Sequence, residues 1–382
     1  MSVPSETPRR APRVRRLILR DFRSYAALDA RFDSPLVAFV GENGAGKTNL
    51  LEALSLFSPG RGLRRADLAE CARLGGSGGF SVAVELEEDG ELRPMGLGLE
   101  PGPDGLERVN RIDRAPVASA RAFADHVRLV WLTPAMDPLL SGPAGERRKF
   151  LDRLVLAIDP GHGARVGQFE RALRGRNKLL EEGGRAAWLD AVEREAAELG
   201  VAIAAARSEC VSRLSGAILA ERDDSSPFPW AGLALQGEVE ALVAAAPALE
   251  AEERYRVLLR EGRARDAAAG RTLVGPHVAD LEVTHGPKGA PAARASTGEQ
   301  KALLVGVVLA HARLVADMSG MAPIALLDEI AAHFDPRRRE ALFAALARIG
   351  GQAFLTGADP AAFAGLEGVR FEVAGGGVRR SA

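Results

Sequence analysis

Eight residues near the amino terminus have the types and spacing of a phosphate-binding loop. Residues 41–48 read GENGAGKT. Glycines in such a loop let backbone amides converge on phosphate oxygens, and the following helix directs its positive dipole end to the same charge. The lysine reaches the β- and γ-phosphates, and the last hydroxyl binds Mg²⁺. The sequence therefore predicts a site for ATP and Mg²⁺ formed by Gly41, Glu42, Asn43, Gly44, Ala45, Gly46, Lys47, Thr48 and Asn49.

The segments on either side of this loop have the patterns that it requires. Residues 36–40 (LVAFV) are continuously apolar, as in a buried parallel strand, and residues 48–57 have apolar positions at helical spacing. An ordinary glycine turn is the alternative, but it would not need a strand and a helix as flanks.

A second candidate element lies far along the chain, where an apolar run ends in two carboxylates. Residues 324–329 read IALLDE. A carboxylate at the carboxyl end of such a strand, beside a phosphate-binding loop, is suited to Mg²⁺, which assigns Asp328. The next residue, Glu329, is the predicted general base that orients or deprotonates the attacking water. Considered alone, the motif would also fit an exposed acid pair at a strand end.

Residues 295–300 (ASTGEQ) precede a predicted helix. Ser296 or Thr297 is a suitable N-cap, and small residues at a helix amino terminus can also bind an anion. Taken alone, the segment supports both interpretations.

The order of these elements resembles the heads of ATP-binding-cassette (ABC) proteins, specifically the SMC-like branch. The resemblance implies a signature segment whose serine contacts the γ-phosphate bound by the opposite subunit, so that a homodimer holds two composite sites. The residues at its positions are Ser296, Thr297, Gly298 and Glu299.

Three further positions follow from the same resemblance. Residues 331–335 (AAHFD) are similar to the cassette D-loop, with Asp335 at its aspartate, and Thr356 stands where many cassettes have a switch histidine. Gln168 and Gln236 are the only glutamines between the loop and the signature, and both lie in a predicted helical lobe. Asp137 is the candidate to replace the missing Q-loop glutamine.

Four stretches resemble a narrower group, the RecF family of recombination-repair proteins. Two depart from the family pattern: Asp21 stands where asparagine is common, and Val278 and Ala279 stand where arginine and aspartate are usual. Residues 169–180, Arg61 and Arg64 also match. The four stretches are LILRDFRSY at 17–25, PAMDPLLSGPAGERRKFLD at 134–152, GPH at 275–277 with Asp280, and LLDEIAAHFDPRRREAL at 326–342.

The resemblance implies a DNA-binding ATPase of recombinational repair, replication restart and the SOS response. Such a protein dimerises on ATP, hydrolyses it slowly and recognises duplex, gapped or junction DNA. It acts with RecO and RecR and helps to load RecA onto single strands coated with SSB. The alternative is another SMC-like ABC ATPase that serves as a non-motor DNA clamp or adaptor.

Direct sequence support for DNA contact is local, because the net charge of the chain is −1. Two basic groups could follow phosphates, although a solvated helix surface paired with Glu170, Glu181 and Glu182 is an equal alternative for the second. The first group is Arg147, Arg148 and Lys149, and the second, at i, i+3 and i+7, is Arg171, Arg174 and Lys178.

The predicted fold class is α/β: an ABC-type ATPase head, a P-loop NTPase with a mixed sheet and flanking helices, and an inserted helical lobe with a short arm. We expect a disordered leader at 1–12, a discontinuous head at 13–140 plus 271–382, and the helical lobe at 141–270. No signal sequence or bilayer-spanning run is evident, and two distant cysteines predict no disulfide framework. We therefore expect a cytoplasmic, nucleoid-associated protein with no membrane partner.

Overall fold

The structure, a computed structural model, describes residues 9–102, 105–331 and 334–381. The strands in chain order are β1 (Arg13–Phe22), β2 (Tyr25–Arg31), β3 (Leu36–Val40), β4 (Phe80–Glu88), β5 (Glu91–Gly102), β6 (Gly105–Ile112), β7 (Ala115–Pro116), β8 (Leu129–Leu132), β9 (Ala231–Gln236), β10 (Asp280–His285), β11 (Ala290–Pro291), β12 (Ile324–Leu327), β13 (Ala353–Gly357), β14 (Val369–Ala374) and β15 (Gly377–Arg380). The α-helices are α1 (Lys47–Ser55), α2 (Ala144–Ile158), α3 (His162–Glu181), α4 (Ala186–Ala220), α5 (Glu238–Ala245), α6 (Ala248–Glu261), α7 (Arg263–Ala269), α8 (Thr297–Ser319) and α9 (Pro336–Ile349).

The chain divides into two compact units. The first contains the described residues up to Asp137, Ser225–Phe228 and the chain from Leu304 onward. The second contains Pro138–Asp224 and Pro229–Leu303.

An antiparallel sheet forms one layer of the first unit, in the order β2-β1-β4-β5-β6-β7. Alternate residues of β4 are buried, which is the pattern of a strand with one face on the core. The alternating residues of 80–87 and 92–99 also predict a pair of strands, and β4 and β5 are antiparallel neighbours. Sequence patterns had indicated neither β6 nor β7.

The other sheet of the first unit has the order β15-β14-β3-β13-β12-β8. Its neighbours are parallel except for the final β14–β15 hairpin. The predicted strands at 36–40 and 324–327 coincide with β3 and β12, and all their residues are buried, as expected inside a parallel sheet. Because β13 lies between β3 and β12, the carboxyl ends of these three strands meet at one edge of the sheet.

Aromatic side chains fill the core beside β3. The ring of Phe32 lies 5.9 Å from that of Phe39, 5.2 Å from that of Phe354 and 5.5 Å from that of Phe371, each edge-on. Edge-to-face pairs at this spacing add to the stabilisation from burial. They hold β3, and therefore the loop that follows it, against its neighbouring strands.

The predicted leader at 1–12 differs from the structure at its end. Residues 1–8 lie outside the described residues. Arg10, however, forms a β-bridge with Met321, and its carbonyl accepts a hydrogen bond from Ala322. Backbone pairing therefore already begins within the predicted leader.

The second unit contains α2 to α7, the start of α8 and the sheet β11-β10-β9. Residues 280–285, which the predicted boundaries place in the head, form β10, and β10 pairs antiparallel with β9. That pairing, which runs from Asp280 opposite Gln236 to His285 opposite Ala231, keeps this part of the chain in the second unit. The second compact unit accordingly ends at Leu303, and the domain boundary at 270/271 stays a prediction.

A buried charge network holds the helices of the second unit together. The side chain of Arg176 on α3 has no exposed surface and forms ion pairs with Glu193 at 3.0 Å and with Asp266 at 2.8 Å. It also donates hydrogen bonds to Thr272 and to the carbonyl of Leu259. A buried guanidinium needs this complete set of acceptors, because an unpaired charge in the interior is very unfavourable.

Among the described helices, α8 alone has the length and apolar content that a bilayer span would need. In the structure, 67% of its most apolar stretch is buried inside the protein. This is the environment of a core helix.

Candidate nucleotide-binding site

The phosphate-binding loop joins β3 to α1. Val40 pairs with Gly357 in the neighbouring strand β13, and the amide of Gly41 donates a hydrogen bond to the Gly357 carbonyl at 3.3 Å. Gly46, the N-cap of α1, has φ 106°, a value that favours glycine. A Cβ atom on Gly46 would also lie 2.8 Å from the Tyr25 hydroxyl, so both backbone and space require glycine at this position.

The ammonium of Lys47 is nearly buried and is surrounded by oxygen acceptors. Nζ donates hydrogen bonds to the carbonyls of Gly41 at 2.7 Å and Glu42 at 2.9 Å. It also pairs with Oε1 of Glu329 at 3.3 Å. The loop therefore curls around its own lysine, which points towards the predicted general base.

Asp328 accepts hydrogen bonds from two hydroxyl groups. Thr48 Oγ1 donates at 2.9 Å to Oδ1 and lies 3.1 Å from Oδ2, and Thr356 Oγ1 donates to Oδ1 at 2.7 Å. Burial raises the pKa of Asp328 above its usual range, although the two hydroxyl groups act in the opposite direction. The predicted metal ligands are thus in direct contact with each other.

These oxygens fit Mg²⁺. A hydroxyl and a desolvated carboxylate side by side are hard ligands of the kind that this cation prefers. Across residues 9–102, 105–331 and 334–381, no group of three or more His, Cys, Asp or Glu side chains could hold a metal ion. Two protein ligands are sufficient for a cation that is also bound by substrate phosphates, which is how Mg²⁺ usually binds at such sites.

Glu329 has an unusual backbone conformation. Its φ is 54°, in the left-handed region that residues with a side chain rarely adopt. Its amide donates a hydrogen bond to Thr356 Oγ1 at 2.9 Å. Such a conformation is unfavourable and tends to occur at functional sites, where surrounding contacts maintain it.

The sequence alone did not reveal two side chains that form hydrogen bonds to the phosphate-binding loop and to the start of α1. The Tyr25 hydroxyl is buried and donates to the Gly46 carbonyl at 3.1 Å, and Ser24 Oγ accepts from Asn49 Nδ2 at 2.9 Å. Both residues lie at the β1–β2 turn, within the stretch that resembles the RecF family. That resemblance was the available signal, although it does not specify what the side chains contact.

A second support lies along α1. The buried carboxylate of Glu52 accepts hydrogen bonds from both Arg23 and Arg64, and Arg64 also donates to the side-chain oxygen of Asn49 at 2.7 Å. Asn49, predicted to bind nucleotide, is therefore tied to its protein neighbours through both ends of its amide. Arg64 is close enough to lower the pKa of Asp328, which is a minor effect beside burial.

The predicted signature segment forms a capping box at the start of α8. The Ser296 amide donates to Glu299 Oε2 at 3.0 Å, its hydroxyl contacts the same oxygen at 2.9 Å, and the Glu299 amide returns a bond to Ser296 Oγ at 3.4 Å. An ion pair with Lys288, together with the Ser296 bonds, lowers the pKa of Glu299 to about 2. Thr297 and Gly298 are exposed in the first turn. The segment belongs to the second unit, and its contact with a γ-phosphate remains a prediction.

The remaining cassette positions have simpler surroundings. Asp335 is the N-cap of α9 and accepts a hydrogen bond from the Arg338 amide at 2.9 Å. Ala332 and His333 of the predicted D-loop lie outside the described residues. Asp137 ends a short 3-10 turn, and its assignment in place of a Q-loop glutamine stays a prediction.

Two of the three cations in the first basic group are bonded to other parts of the second unit, and the DNA contact of the group stays a prediction. The Arg147 guanidinium forms two hydrogen bonds to Asp280, at 2.8 and 2.7 Å, and one to the Gly142 carbonyl. Arg148 donates to the Ala279 carbonyl at 2.6 Å. Both arginines hold the start of β10 against α2, because a carboxylate and a carbonyl from distant sequence lie there. Only Lys149 of this group, paired with Glu146, is exposed.

The second basic group does form one exposed face of α3. Arg171, Arg174 and Lys178 are all exposed, whereas Ala172 and Leu173 between them are buried. Lys178 lies 3.8 Å from Glu182, a weak pair in water. These side chains are therefore free to extend from the second unit into solvent.

Comparisons with known proteins agree with the fold. Residues 16–83 match the model of an AAA domain. The solved structure of the recombination mediator protein RecF-ATPrS in the RecFOR pathway superimposes with a TM-score of 0.84 at 21% identity and covers 98% of this chain and 100% of that chain. The SMC head domain of Pyrococcus furiosus superimposes with a TM-score of 0.51 at 15% identity, covering 97% and 96%. The predicted ABC-type ATPase fold of the SMC-like kind is confirmed.

A curated relative gives the family. The DNA replication and repair protein RecF of Mesorhizobium japonicum is 55% identical over 357 residues, which are 93% of this chain and 94% of that protein. At this identity over nearly the whole of both chains, the chain belongs to the RecF family of DNA replication and repair proteins.

Proposed function

We propose that the chain binds ATP with Mg²⁺ at residues 41–49 and hydrolyses it slowly to ADP and phosphate. The observation that carries this proposal is the contact set at one sheet edge: Lys47 pairs with Glu329, and Thr48 bonds to Asp328. The solved relative with the same fold was described as bound to ATPrS, which supports a nucleotide at the matching loop.

Each of these side chains has a defined task in the proposed reaction. The Lys47 ammonium donates hydrogen bonds to phosphate oxygens, and the oxygens of Thr48 and Asp328 hold Mg²⁺. Mg²⁺, when bound, neutralises phosphate charge and polarises the transferred phosphoryl group. The Glu329 carboxylate orients water for in-line attack and accepts its proton.

Two copies of the chain are needed for a complete site under this proposal. Ser296 lies at a helix amino terminus, where a hydroxyl and backbone amides favour an anion. We infer that the signature of one copy covers the nucleotide held by the other copy. ATP then contacts both copies and stabilises the dimer.

The proposed ligand of the closed dimer is DNA, either duplex, gapped or at a single-strand junction. Support comes from family membership and from the exposed cations of α3, Arg171, Arg174 and Lys178, together with Lys149 on α2. Cations of this kind attract phosphates without reading sequence. We further propose that the protein acts with RecR and RecO and promotes RecA loading at gaps coated with SSB. Its proposed location is cytoplasmic and nucleoid-associated.

A second candidate is a clamp in which ATP binding matters and turnover is incidental. The contacts of Lys47 and Asp328 support it, because both groups must exchange buried hydrogen bonds for phosphate and metal contacts whenever nucleotide binds, which is compatible with slow turnover. Turnover measured with and without DNA distinguishes such a clamp from a motor that couples hydrolysis to movement along DNA. Slow hydrolysis that DNA stimulates, without translocation along the duplex, favours the clamp.

The central experiment compares oligomeric state and DNA binding in two variants. Glu329→Gln should form a long-lived dimer with ATP in light scattering, whereas Lys47→Ala should neither bind nucleotide nor dimerise. Gapped and blunt duplexes are then titrated at two salt concentrations, with and without ATP. A Glu329→Gln protein that binds ATP but remains monomeric would refute the dimer, and tight ATP binding by Lys47→Ala would refute the loop assignment.

A further inference from the structure

The Thr356 hydroxyl contacts both acidic residues of the predicted site, the carboxylate of Asp328 and the backbone amide of Glu329. In the sheet, Leu327 of β12 pairs with Leu355 of β13, so the residues that follow them, Asp328 and Thr356, are neighbours across the strands. The Thr356 side chain has no exposed surface. Its hydroxyl therefore has only protein atoms as hydrogen-bond partners in this arrangement.

The hydrogen-bond directions at this hydroxyl can be deduced. A backbone amide can only donate, so Thr356 Oγ1 must accept from Glu329 at 2.9 Å. The single hydroxyl proton is then available for Asp328 Oδ1, which lies 2.7 Å away. One buried hydroxyl thus connects the backbone of one acidic residue to the carboxylate of the residue before it.

This connection matters because Glu329 has φ 54°. A left-handed glutamate would readily relax to an ordinary conformation unless a contact held its backbone. The bond from its amide to Thr356 is such a contact, and relaxation would turn the side chain away from Lys47, its partner at 3.3 Å. The position of the general base therefore depends on a hydroxyl that does not itself touch substrate.

We propose that Thr356 is a positioning residue for ATP hydrolysis: its hydroxyl fixes Glu329 in the left-handed conformation and orients Asp328. The inference rests on the proposed ATPase function. The role explains why a threonine suffices where many cassettes have a histidine: the contact is made inside the sheet, at a position with no exposure to solvent.

The test uses full-length Thr356→Val, which keeps the branched shape without the hydroxyl, and Thr356→Ser, which keeps the hydroxyl. Thr133→Val is the matched control, because Thr133 is also buried, directly follows β8 in the same sheet, and has no described side-chain hydrogen bond. Turnover with saturating Mg·ATP, affinity for a non-hydrolysable ATP analogue, and thermal unfolding are measured for each protein.

We expect the kcat of Thr356→Val to fall about tenfold to hundredfold, which is the effect of losing a hydrogen bond to a charged group and the support of the base. Its affinity for the analogue should stay within about threefold of wild type, because the loop that binds phosphate is unchanged. Thr356→Ser and Thr133→Val should hydrolyse ATP at close to the wild-type rate. A purely structural role would instead lower the unfolding temperature and leave kcat per folded molecule unchanged.

Two results would overturn the inference while leaving the ATPase proposal intact. One is a wild-type kcat for Thr356→Val under assay conditions in which the Glu329→Gln protein is inactive. The other is failure of both Thr356→Val and the smaller Thr356→Ala to fold, which would assign the hydroxyl to stability. An inactive wild-type protein, with or without DNA, would refute the proposed function itself.

Discussion

Replacement of Glu329 by glutamine should change nucleotide affinity as well as hydrolysis. In the structure the Glu329 carboxylate lies 3.3 Å from the Lys47 ammonium, so it competes with phosphate for the same cation. Glutamine retains the shape of the side chain but removes its charge. We therefore expect Glu329→Gln to bind ATP more tightly than the wild-type protein, independently of turnover.

The size of the effect follows from the geometry of the pair. Unit charges 3.3 Å apart attract by about 5 kcal/mol at an effective dielectric constant near 20. That value is an upper limit, because the Glu329 side chain is 23% exposed and water screens it. A loss of about a third of the attraction, ~1.5 kcal/mol, corresponds to roughly tenfold tighter binding.

The assay is a calorimetric titration with a non-hydrolysable ATP analogue and Mg²⁺, so that hydrolysis does not affect either protein. Glu42→Gln is the matched control. It also removes a carboxylate from the loop, but the Glu42 side chain is exposed and has no ion pair with Lys47. Equal affinities of Glu329→Gln and wild type would refute the competition, as would an equal gain in Glu42→Gln.

Three further predictions concern the supports of the two units. Arg176→Met should destabilise the second unit by about 3–5 kcal/mol in urea denaturation, because it removes the buried cation that Asp266 and Glu193 share and leaves Glu193 with Arg263 alone. Asp152 is partly buried, which raises its pKa, but contacts with His162 and Arg207 lower the pKa below its usual value. Its stabilisation is therefore complete above the unfolded pKa of about 4 and is lost as the pH falls through the lower folded value, so Asp152→Asn should be destabilised at pH 7 and approach wild type in acid by circular dichroism. Tyr25→Phe should weaken nucleotide binding about fivefold in the same calorimetric assay by removing a buried hydrogen bond of ~1 kcal/mol to the loop, and unchanged affinity would show that the hydroxyl does not position it.

The sequence was sufficient to predict the parts of the site that depend on local pattern. Continuous apolar runs marked β3 and β12, and the residues that follow them are the loop and the carboxylates that meet at the sheet edge. Parallel strands place their carboxyl ends at a common edge, so Thr48 and Asp328 could be expected near each other although they are far apart in the chain.

Contacts set by tertiary pairing could not be predicted in this way. The β9–β10 pairing joins segments on either side of three helices, and local pattern carries no information on the partner of a strand. For the same reason Arg147, which the sequence shows only as a cation beside two others, was expected on a DNA-binding surface and is instead bonded to Asp280. The left-handed backbone of Glu329 has no local sequence signal either, since glycine or asparagine would be usual there.

The charges at the site explain why nucleotide and metal should bind together. The site combines one ammonium, on Lys47, with two carboxylates, that of Glu329 paired with Lys47 and that of Asp328 bonded to Thr48. Negative charge is therefore in excess before a triphosphate adds more. Arg64 offsets only part of this excess, because its guanidinium is already bonded to Glu52. A divalent cation held by Thr48 and Asp328 would supply the missing positive charge only while phosphate oxygens complete its ligand shell. Because of this charge balance, the protein should bind Mg·ATP more tightly than free ATP. The proposed dimer should therefore require both ATP and Mg²⁺.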